Sequence, residues 1–323
     1  MSRRAKTDLR PCASCIPWLV LPAPVRQKAR VIVDAHVHLY PKEVDLDPAG
    51  WAAKTGERHW AVLCTRKRRN GRPVQSLPTI DELLQAMDAA GISRAVLLGW
   101  YWEKPETCGW QNRFYAACVR AHPDRLAAFA TVHPAAGRDA TLDEVRRAQG
   151  DGLVGLGELS PHSQVYAMDD PVFAGVLNLA GDLQMPVNLH VTDPASRPYV
   201  GRIETPLADF VRLARAYPKT TFILAHWGGM LSLVDPTATA AALPNVYYDT
   251  AASPLLYDSG VWNRTLPGMG SDRVLFGSDF PLNLYPNLDE TSGLSRFVSE
   301  ARAGGADGAV LGGNAARLFR WRV

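Results

Sequence analysis

The sequence has few cysteines, little net charge and no long apolar run, and each shortage excludes a class of protein. No window approaches the roughly 20 apolar residues that a membrane-spanning helix needs, so no membrane association is expected. The formal charge is only +3 over 323 residues, too small to create a field that would draw nucleic acid or an anionic membrane. The cysteines are odd in number and scattered, unlike a secreted disulfide scaffold, and predict a reducing, cytoplasmic location: Cys12, Cys15, Cys64, Cys108 and Cys118.

The first 30 residues differ in composition from the rest. Arg3 and Arg4 precede a short apolar stretch that is broken by Pro17, Pro22 and Pro24. A secretory signal peptide needs an uninterrupted apolar segment followed by a small-residue cleavage site. We therefore expect residues 1–30 to form an irregular extension.

From residue 31 onward, short apolar runs alternate with segments of helical periodicity, which is typical of a parallel sheet wrapped by helices. The runs are continuous rather than alternating, as expected for strands buried on both faces. Eight runs are predicted as strands: residues 31–36, 93–98, 126–131, 153–158, 187–190, 221–225, 246–249 and 273–276.

Helix signals separate these runs. Thr79 with Glu82, and Thr141 with Glu144, have the spacing of a capping box and predict two helix starts. An open doubly wound sheet more often has five or six strands and a glycine-rich first turn, which this sequence lacks. The pattern therefore predicts a single (β/α)8 TIM barrel over residues 31–323.

Two long insertions interrupt the pattern. Residues 40–78 separate the first strand from its helix, and residues 98–111 carry several aromatic side chains. Connections in α/β units usually have two to six residues, and longer ones are often lids. Both insertions follow the carboxyl end of a strand, the face on which barrel enzymes keep their active sites.

The chemistry-bearing residues fall at strand ends. His36 and His38 alternate along the first strand, so their side chains share one side. Glu158, His190, His226 and Asp279 end or follow the fourth, fifth, sixth and eighth strands. Taken singly, each has an ordinary explanation: Glu158 as a salt-bridge partner, the histidines as core residues, Asp279 as a helix cap. A metal site explains the whole set, because buried histidines and carboxylates are costly unless they pair or hold a metal.

At this point the sequence resembles the amidohydrolase superfamily, and within it the amidohydrolase-related group that includes aromatic and aminocarboxymuconate-semialdehyde decarboxylases. The resemblance runs from residue 31 to the end and rests on a set of short motifs: Asp34-Ala-His36-Val-His38, His190, Ala225-His226-Trp-Gly-Gly, Asn245-Val-Tyr-Tyr-Asp-Thr, Phe276-Gly-Ser-Asp279-Phe-Pro and Gly313-Asn-Ala-Ala-Arg-Leu-Phe319.

The resemblance implies that one divalent metal, usually zinc, has four protein ligands: His36, His38, His190 and Asp279. It also implies that His226 is the acid/base beside the metal, with Asp279 able to share the proton transfer. In such sites the cation lowers the pKa of bound water toward 7. Glu158 resembles the bridging carboxylate of two-metal members such as TatD-type deoxyribonucleases. In that variant His190 and His226 hold a second ion.

Two activities remain open, of which hydrolysis is the main prediction and decarboxylation the alternative, by a narrow margin. The complete set with Glu158 favours a hydrolase that acts on a C–N or C–O bond of a small, possibly anionic substrate. The segments around His226 and Asp279 resemble more closely a zinc-dependent, non-oxidative decarboxylase of a small aromatic or unsaturated acid. The number of ions per chain is expected to discriminate between them.

The basic segment Arg66-Lys-Arg-Arg69 raises a third possibility, nucleic-acid binding or a TatD-like nuclease activity. A solvated basic loop is the simpler interpretation, because the net charge is low and no nucleic-acid-binding fold surrounds it. A further hypothesis is that this segment folds over the pocket and attracts a carboxylate or phosphate substrate.

Substrate contacts are predicted in the same way, from residues that follow the carboxyl ends of the strands. The aromatic segment offers an apolar wall, and the residues after the third, fourth and seventh strands face the same mouth. The predicted contacts are Trp100, Trp102, His162 and Ser253, with His133, Tyr248 and Asp249 as further wall residues. A small-molecule substrate is expected, and the resemblance to barrels that are often dimers implies a homodimer.

Overall fold

The computed structural model describes residues 31–239, 241–288 and 293–321. The predicted extension, residues 1–30, lies outside this part of the chain. Eight parallel strands pair in sequence order, as predicted. Their bounds are β1 Val33–Val37, β2 Arg94–Leu97, β3 Leu126–Ala130, β4 Gly155–Leu159, β5 Val187–Leu189, β6 Phe222–Leu224, β7 Val246–Asp249 and β8 Val274–Leu275.

The last strand and the residues after it return to the first strand. The backbone N–H of Ala35 donates to the carbonyl of Phe276 at 2.8 Å, and that of Asp279 donates to the carbonyl of His36 at 2.9 Å. The sheet is therefore nearly closed, and the predicted (β/α)8 barrel is confirmed. The same contacts bring Asp279 beside the two histidines of β1.

The barrel interior is filled by side chains from alternate positions of the strands, as expected of a small closed barrel. They form a separate buried group: Val33, Ala35, Val96, Leu98, Phe129, Ile223 and Leu275. Gly155 makes room for Phe129, since a Cβ at this glycine would lie only 2.5 Å from the ring.

Helices surround the barrel and carry the connections. They are α1 Lys42–Leu46, α2 Pro48–Thr55, α3 Arg58–Cys64, α4 Ile80–Ala90, α5 Pro105–Ala121, α6 Arg138–Gly150, α7 Pro161–Gln164, α8 Pro171–Leu183, α9 Leu207–Ala216, α10 Ala225–Gly228, α11 Leu231–Val234, α12 Ser253–Leu256, α13 Val261–Met269, α14 Leu294–Ala303 and α15 Asn314–Leu318. Short 3-10 turns occupy Pro134–Ala136 and Ser271–Arg273, and a π turn occupies Ala309–Gly313. No described helix combines the length and apolarity needed to cross a bilayer.

One of the two predicted capping boxes is present. Thr79 caps α4 and exchanges hydrogen bonds with Glu82 in both directions. The prediction for Thr141 is wrong, because α6 begins at Arg138 and Thr141 lies in its first turn. The Thr141 hydroxyl instead donates to the carbonyl of Gly137 at 2.7 Å, so it adds a bond inside the helix.

The insertion after β1 is ordered and contains the three short helices α1, α2 and α3. Its aromatic side chains pack with the segment after β2 into a compact group: Tyr40, Trp51, Trp60, Trp100, Tyr101, Trp102 and Trp110. Residues 66–74, here called the basic hairpin, follow α3. An antiparallel bridge between Lys67 and Pro73 closes this hairpin, and a second bridge joins Gln75 to Leu282.

Candidate metal centre

The carboxyl ends of the strands bring six predicted residues together at one end of the barrel. They form what we call the strand-end cluster: His36, His38, Glu158, His190, His226 and Asp279. Five of the six are buried, and the side chain of His190 is only 12% exposed. Residues up to 243 positions apart in sequence thus become neighbours, as the barrel topology predicts.

His36 and His38 bring their Nε2 atoms close to each other and to both carboxylates of the cluster. His36 Nε2 and His38 Nε2 are 3.1 Å apart, and Asp279 Oδ1 lies 3.8 and 3.4 Å from them. Glu158 Oε2 lies 3.8 and 3.7 Å from the same two nitrogens. Ligands placed about 2.1 Å from a tetrahedral ion are separated by about 3.4 Å. Each carboxylate, together with the two imidazoles, therefore offers donor atoms at separations that suit a divalent cation.

Glu158 also takes part in a second group. Its Oε1 lies 2.8 Å from His190 Nδ1 and 3.6 Å from His226 Nε2. The two groups of possible metal ligands, His36–His38–Glu158 and Glu158–His190–His226, therefore share one carboxylate. The arrangement can be used with one ion or with two.

Outer hydrogen bonds fix which nitrogen faces the cluster in three of its four histidine rings. Asp249 Oδ2 accepts from His36 Nδ1 at 2.9 Å, and the carbonyl of Leu98 accepts from His38 Nδ1 at 3.0 Å. The carbonyl of Ala251 lies 3.1 Å from His226 Nδ1. A ring that donates from Nδ1 keeps the lone pair of Nε2 free for a metal.

Asp249 has a role that the sequence analysis missed. It was expected on the pocket wall, but it lies fully buried beneath the cluster. Besides His36, it accepts from the Asn188 amide at 3.0 Å and from the backbone of His226 at 3.1 Å. Asp249 is the last residue of β7, just as the residues of the cluster lie at the ends of their strands. Its position in the sequence could therefore have indicated its role.

A second buried carboxylate joins the two segments that carry the ligands. Asp34 Oδ1 accepts from the backbone N–H of Ser278 at 2.9 Å, and Oδ2 accepts from its hydroxyl at 2.5 Å. Burial raises the pKa of Asp34, the bonds from Ser278 oppose this, and the result is a pKa of about 6. The pair fixes the spacing between β1, with its histidines, and Asp279.

The charges of the cluster compensate one another in the metal-free protein. Burial lowers the pKa of His36, but Asp249 and the other carboxylates outweigh it and raise the pKa to about 10. Burial raises the pKa of Glu158, but His190 opposes it, and the pKa lies well below its usual value. The pKa of Asp279 is likewise lowered on balance by His38 and its neighbours despite burial. Both carboxylates are therefore ionised and available to a cation.

Left-handed backbone conformations occur at two of the functional positions. His226 has φ 56° and Asp279 has φ 67°, values that residues other than glycine seldom adopt. Gly228 and Gly229 continue the turn after β6 with positive φ. Such conformations cost free energy and persist where the surroundings enforce them, commonly at functional sites.

A cavity of about 360 Å³ opens above the cluster, within the range of small-molecule sites. Trp100 and Tyr101 form what we call the aromatic wall: their rings stack with centroids 4.3 Å apart. Trp100 lies 5.3 Å from the His38 ring and Tyr101 lies 5.1 Å from the His190 ring. Apolar side chains line other parts of the cavity: Val191, Ala252, Leu255, Leu256 and Leu282.

The basic hairpin also contributes to this cavity. Arg66, Lys67 and Arg68 line it, as expected of a segment that folds over the pocket. The loop after β5 adds Arg197 and Tyr199, which sequence analysis did not identify because no motif marks them.

Other predicted substrate contacts lie elsewhere in the described structure. Trp102 is fully buried and donates from Nε1 to Gln111 at 2.6 Å. His162 bonds to Asp209 at 3.0 Å. Neither is among the residues that line the main cavity. Their contact with substrate stays a prediction.

Two further predicted wall residues also have protein partners. Ser253 lines a smaller, separate cavity, donates to the carbonyl of Thr250 at 2.6 Å and accepts from Trp227. His133 bonds to the carbonyl of Gln164 at 3.1 Å. Four members of the strand-end cluster, Glu158, His190, His226 and Asp279, line the main cavity together with Trp100, and these two predicted residues lie outside its lining.

Comparison with known proteins agrees with this architecture. The sequence pattern of the family described as amidohydrolase matches residues 33–321. No curated protein matches the chain.

Solved structures match over most of the barrel. The 5-carboxyvanillate decarboxylase LigW from Sphingomonas paucimobilis has a TM-score of 0.68 and 18% identity, covering 90% of this chain and 99% of that one. The dihydroxybenzoic acid decarboxylase from Polaromonas sp. JS666, solved with manganese and 2-nitroresorcinol, has a TM-score of 0.63 and 20% identity, covering 91% and 98%. The 5-carboxyvanillate decarboxylase from Novosphingobium aromaticivorans, solved with manganese and 4-hydroxy-3-methoxy-5-nitrobenzoic acid, has a TM-score of 0.69 and 16% identity, covering 91% and 97%.

Proposed function

Since this chain belongs to the amidohydrolase family, we propose that it is a divalent-metal-dependent decarboxylase of a small aromatic carboxylic acid. The observation that carries the proposal is the pairing of a buried ligand cluster with a flat aromatic wall in one cavity. A planar acid can place its ring against Trp100 and Tyr101 and its carboxylate over the cluster. Three solved relatives of the same fold are decarboxylases of aromatic acids by their titles.

The residues present fit the ion that this activity needs. His36, His38, Asp279 and Glu158 have the required donor atoms at suitable separations, and His190 adds a fifth donor next to Glu158. A divalent ion held by these residues would supply positive charge that attracts substrate oxygens and withdraws electron density from the ring. Zinc suits the histidine ligands, and manganese is the ion in two of the solved relatives.

The chain's own residues orient the acid and supply a proton. Decarboxylation breaks the bond between the ring carbon and the carboxylate, leaves the electron pair on the ring carbon, and requires a proton there as carbon dioxide departs. The proposal assigns this proton to His226, and its support is that Nε2 faces the cluster while Nδ1 lies beside the carbonyl of Ala251. The apolar lining from Leu255, Leu256 and Leu282 limits water around the ring carbon.

The second candidate function is hydrolysis of a C–N or C–O bond with two ions. Its support is the position of Glu158, whose two oxygens face the two halves of the cluster. In two-metal hydrolases such a carboxylate is shared, and the ions act together on the nucleophile and the scissile group.

A metal count together with a product assay separates the two functions. Metal-free protein is loaded with Zn²⁺ or Mn²⁺, the bound ions per chain are counted, and substituted benzoic acids are offered in deuterated water. Decarboxylation predicts carbon dioxide release with one deuterium on the vacated ring carbon and one ion per chain. Two tightly held ions, with cleavage of amides, esters or lactones and no carbon dioxide, would replace the proposal by the second candidate.

His226→Asn serves as the matched variant for the proton step. Asparagine can still bond to the carbonyl of Ala251 but carries no titratable ring nitrogen. We expect the variant to keep its metal and to lose decarboxylation by about 10²- to 10⁴-fold. Full activity in this variant would exclude His226 as the proton donor.

A further inference from the structure

A hydrogen-bonded network joined to the aromatic wall centres on Gln111, a fully buried residue of α5. Its Oε1 accepts from the backbone N–H of Trp100 at 2.8 Å and from Nε1 of Trp102 at 2.6 Å. Its Nε2 donates to the Tyr115 hydroxyl at 3.2 Å and to the carbonyl of Leu39 at 3.4 Å. Both lone pairs of the oxygen and both N–H groups are therefore used. An amide side chain matches these four partners in a way that a carboxylate or an apolar side chain cannot.

Tyr115 connects this network to His38 of the strand-end cluster. It lies one helical turn after Gln111, on the same face of α5. Its hydroxyl accepts from the backbone N–H of Leu39 at 3.2 Å and donates to the carbonyl of Leu98 at 2.8 Å. The same carbonyl accepts from His38 Nδ1 at 3.0 Å. One buried hydroxyl thus bridges the main chain next to His38 and the carbonyl that orients its ring.

Tyr115 acts at the point where the first two strands end. β1 ends at Val37 and β2 ends at Leu97, so His38 and Leu98 each lie one residue beyond the sheet. A side chain from α5 therefore helps to fix the direction of the Leu98 carbonyl. Burial raises the pKa of Tyr115, so the hydroxyl keeps its proton and remains a donor. Buried networks in which every member is satisfied rigidify the surrounding structure.

The other side of the network holds the aromatic wall beside the same histidine. Gln111 binds the residues on either side of Tyr101, namely Trp100 and Trp102. The ring of Trp100 stacks on that of Tyr101 with centroids 4.3 Å apart, and it lies 5.3 Å from the ring of His38. The spacing between the wall and this histidine is therefore set by one connected group of hydrogen bonds.

We propose that Tyr115 and Gln111 are positioning residues. Tyr115 keeps His38 Nε2 directed at the ion, and Gln111 keeps the aromatic wall at the spacing that accepts a planar ring. The inference rests on the proposed function, which puts the ion at the cluster and the ring against the wall. Neither residue is among those that line the cavity, so each acts through its partners and not by touching substrate.

Zn²⁺ affinity tests the role of Tyr115. Tyr115→Phe removes the hydroxyl and keeps the buried ring, and competition against a chromophoric chelator measures the Kd for the ion. Loss of a direct outer partner of a ligating histidine costs about 10- to 100-fold in metal affinity. Tyr115 acts one bond further away, so we expect a smaller loss, about threefold to tenfold. The matched control is Thr265→Val, which removes another buried hydroxyl, one that donates to Val261 at 2.6 Å within α13, and it should bind Zn²⁺ as the wild type does.

Binding of a planar acid tests the role of Gln111. The probe is benzoate, titrated calorimetrically into protein saturated with Mn²⁺. Gln111→Met has a similar length but offers the two tryptophans no strong acceptor, so the wall loses its prior ordering and benzoate should bind about tenfold more weakly. The control is Asn245→Leu, because the Asn245 amide donates to three backbone carbonyls just before β7, at the opposite end of the barrel. It should lose stability and keep the affinity for benzoate.

Urea unfolding of every variant separates positioning from stability. The proposal is overturned if Tyr115→Phe binds Zn²⁺ with wild-type affinity, if Gln111→Met binds benzoate as tightly as the wild type, or if the control variants weaken binding to the same extent. Should Gln111→Met fail to fold, Tyr115→Phe decides the proposal, because it removes a single hydroxyl.

The two assays measure binding and not turnover, so they distinguish this proposal from the proposed function. Variants that behave as expected in a protein that releases no carbon dioxide would contradict the proposed function and leave the positioning roles standing. Wild-type protein that binds Mn²⁺ but not benzoate would overturn the role of Gln111 together with the proposed function.

Discussion

Replacing Asp249 by asparagine should weaken metal binding while leaving the barrel folded. The carboxylate accepts four hydrogen bonds: Oδ2 from His36 Nδ1 at 2.9 Å and Asn188 at 3.0 Å, and Oδ1 from the backbones of His226 and Ala251, each at 3.1 Å. An asparagine has one oxygen in place of two. Its amide nitrogen must therefore face one of these two pairs of groups.

The pair with His36 is the more adaptable, because the neutral imidazole ring can exchange its tautomer while backbone N–H groups cannot. If the amide donates to His36 Nδ1, the ring carries its proton on Nε2, the atom that faces the cluster. That nitrogen then cannot ligate a cation. Loss of an orienting carboxylate behind a ligating histidine costs about 10- to 100-fold in metal affinity, equivalent to about 1.4 to 2.7 kcal/mol.

The assay is competition for Zn²⁺ against a chromophoric chelator, with circular dichroism and urea unfolding as checks of the fold. Asp258→Asn is the control, because Asp258 is an exposed carboxylate whose side chain pairs with Arg264. An Asp249→Asn protein that is folded and binds Zn²⁺ with wild-type affinity would refute the tautomer argument.

Three further predictions concern protonation and stability. Since the pKa of His36 is raised to about 10 in the metal-free protein, a metal must displace its proton at neutral pH, and the affinity for the metal should rise by up to about tenfold per pH unit. Calorimetry in buffers of different ionisation enthalpy should detect the released proton. A metal affinity that stays constant between pH 6 and 8 would contradict this. Gly155→Ala would place a Cβ 2.5 Å from the Phe129 ring and should destabilise the barrel by about 1 to 3 kcal/mol in urea unfolding; Gly150→Ala, with nothing within 4 Å, is the control and should have no such cost. Thr79→Ala removes the capping box of α4 and should cost about 1 kcal/mol, and an unchanged unfolding midpoint would show that the cap contributes nothing.

The sequence was most informative where a local pattern has one physical meaning. The eight apolar runs became eight strands because a continuous buried run bounded by helix signals has few alternatives. The six cluster residues could be found because strand order fixes where strand ends lie. Thr141 misled because Thr-x-x-Glu spacing also fits the first turn of a helix that begins three residues earlier, after Gly137.

Features that depend on contacts distant in sequence could not be predicted. The basic charges suggested a segment that folds over the pocket, but the pairing between residues near Val74 and Asn283 that holds the basic hairpin there follows from no local pattern. The function of Asp249 depends on which side chain lies opposite β7, and Trp102 packs into the insertion because the three short helices cover it. These are properties of tertiary packing, so composition and periodicity do not reveal them.

The attachment of the basic hairpin to the segment after β8 has a consequence for cooperativity. Ser76 donates to the carbonyl of Pro281 at 3.1 Å and Asn283 donates to that of Val74 at 3.0 Å, only a few residues beyond Asp279. A ligand that orders the hairpin and an ion that fixes Asp279 thus act on two backbone segments that are hydrogen-bonded to each other. Any coupling through these bonds is reciprocal: the factor by which a ligand bound at the hairpin raises the affinity for the ion equals the factor by which the ion raises the affinity for that ligand.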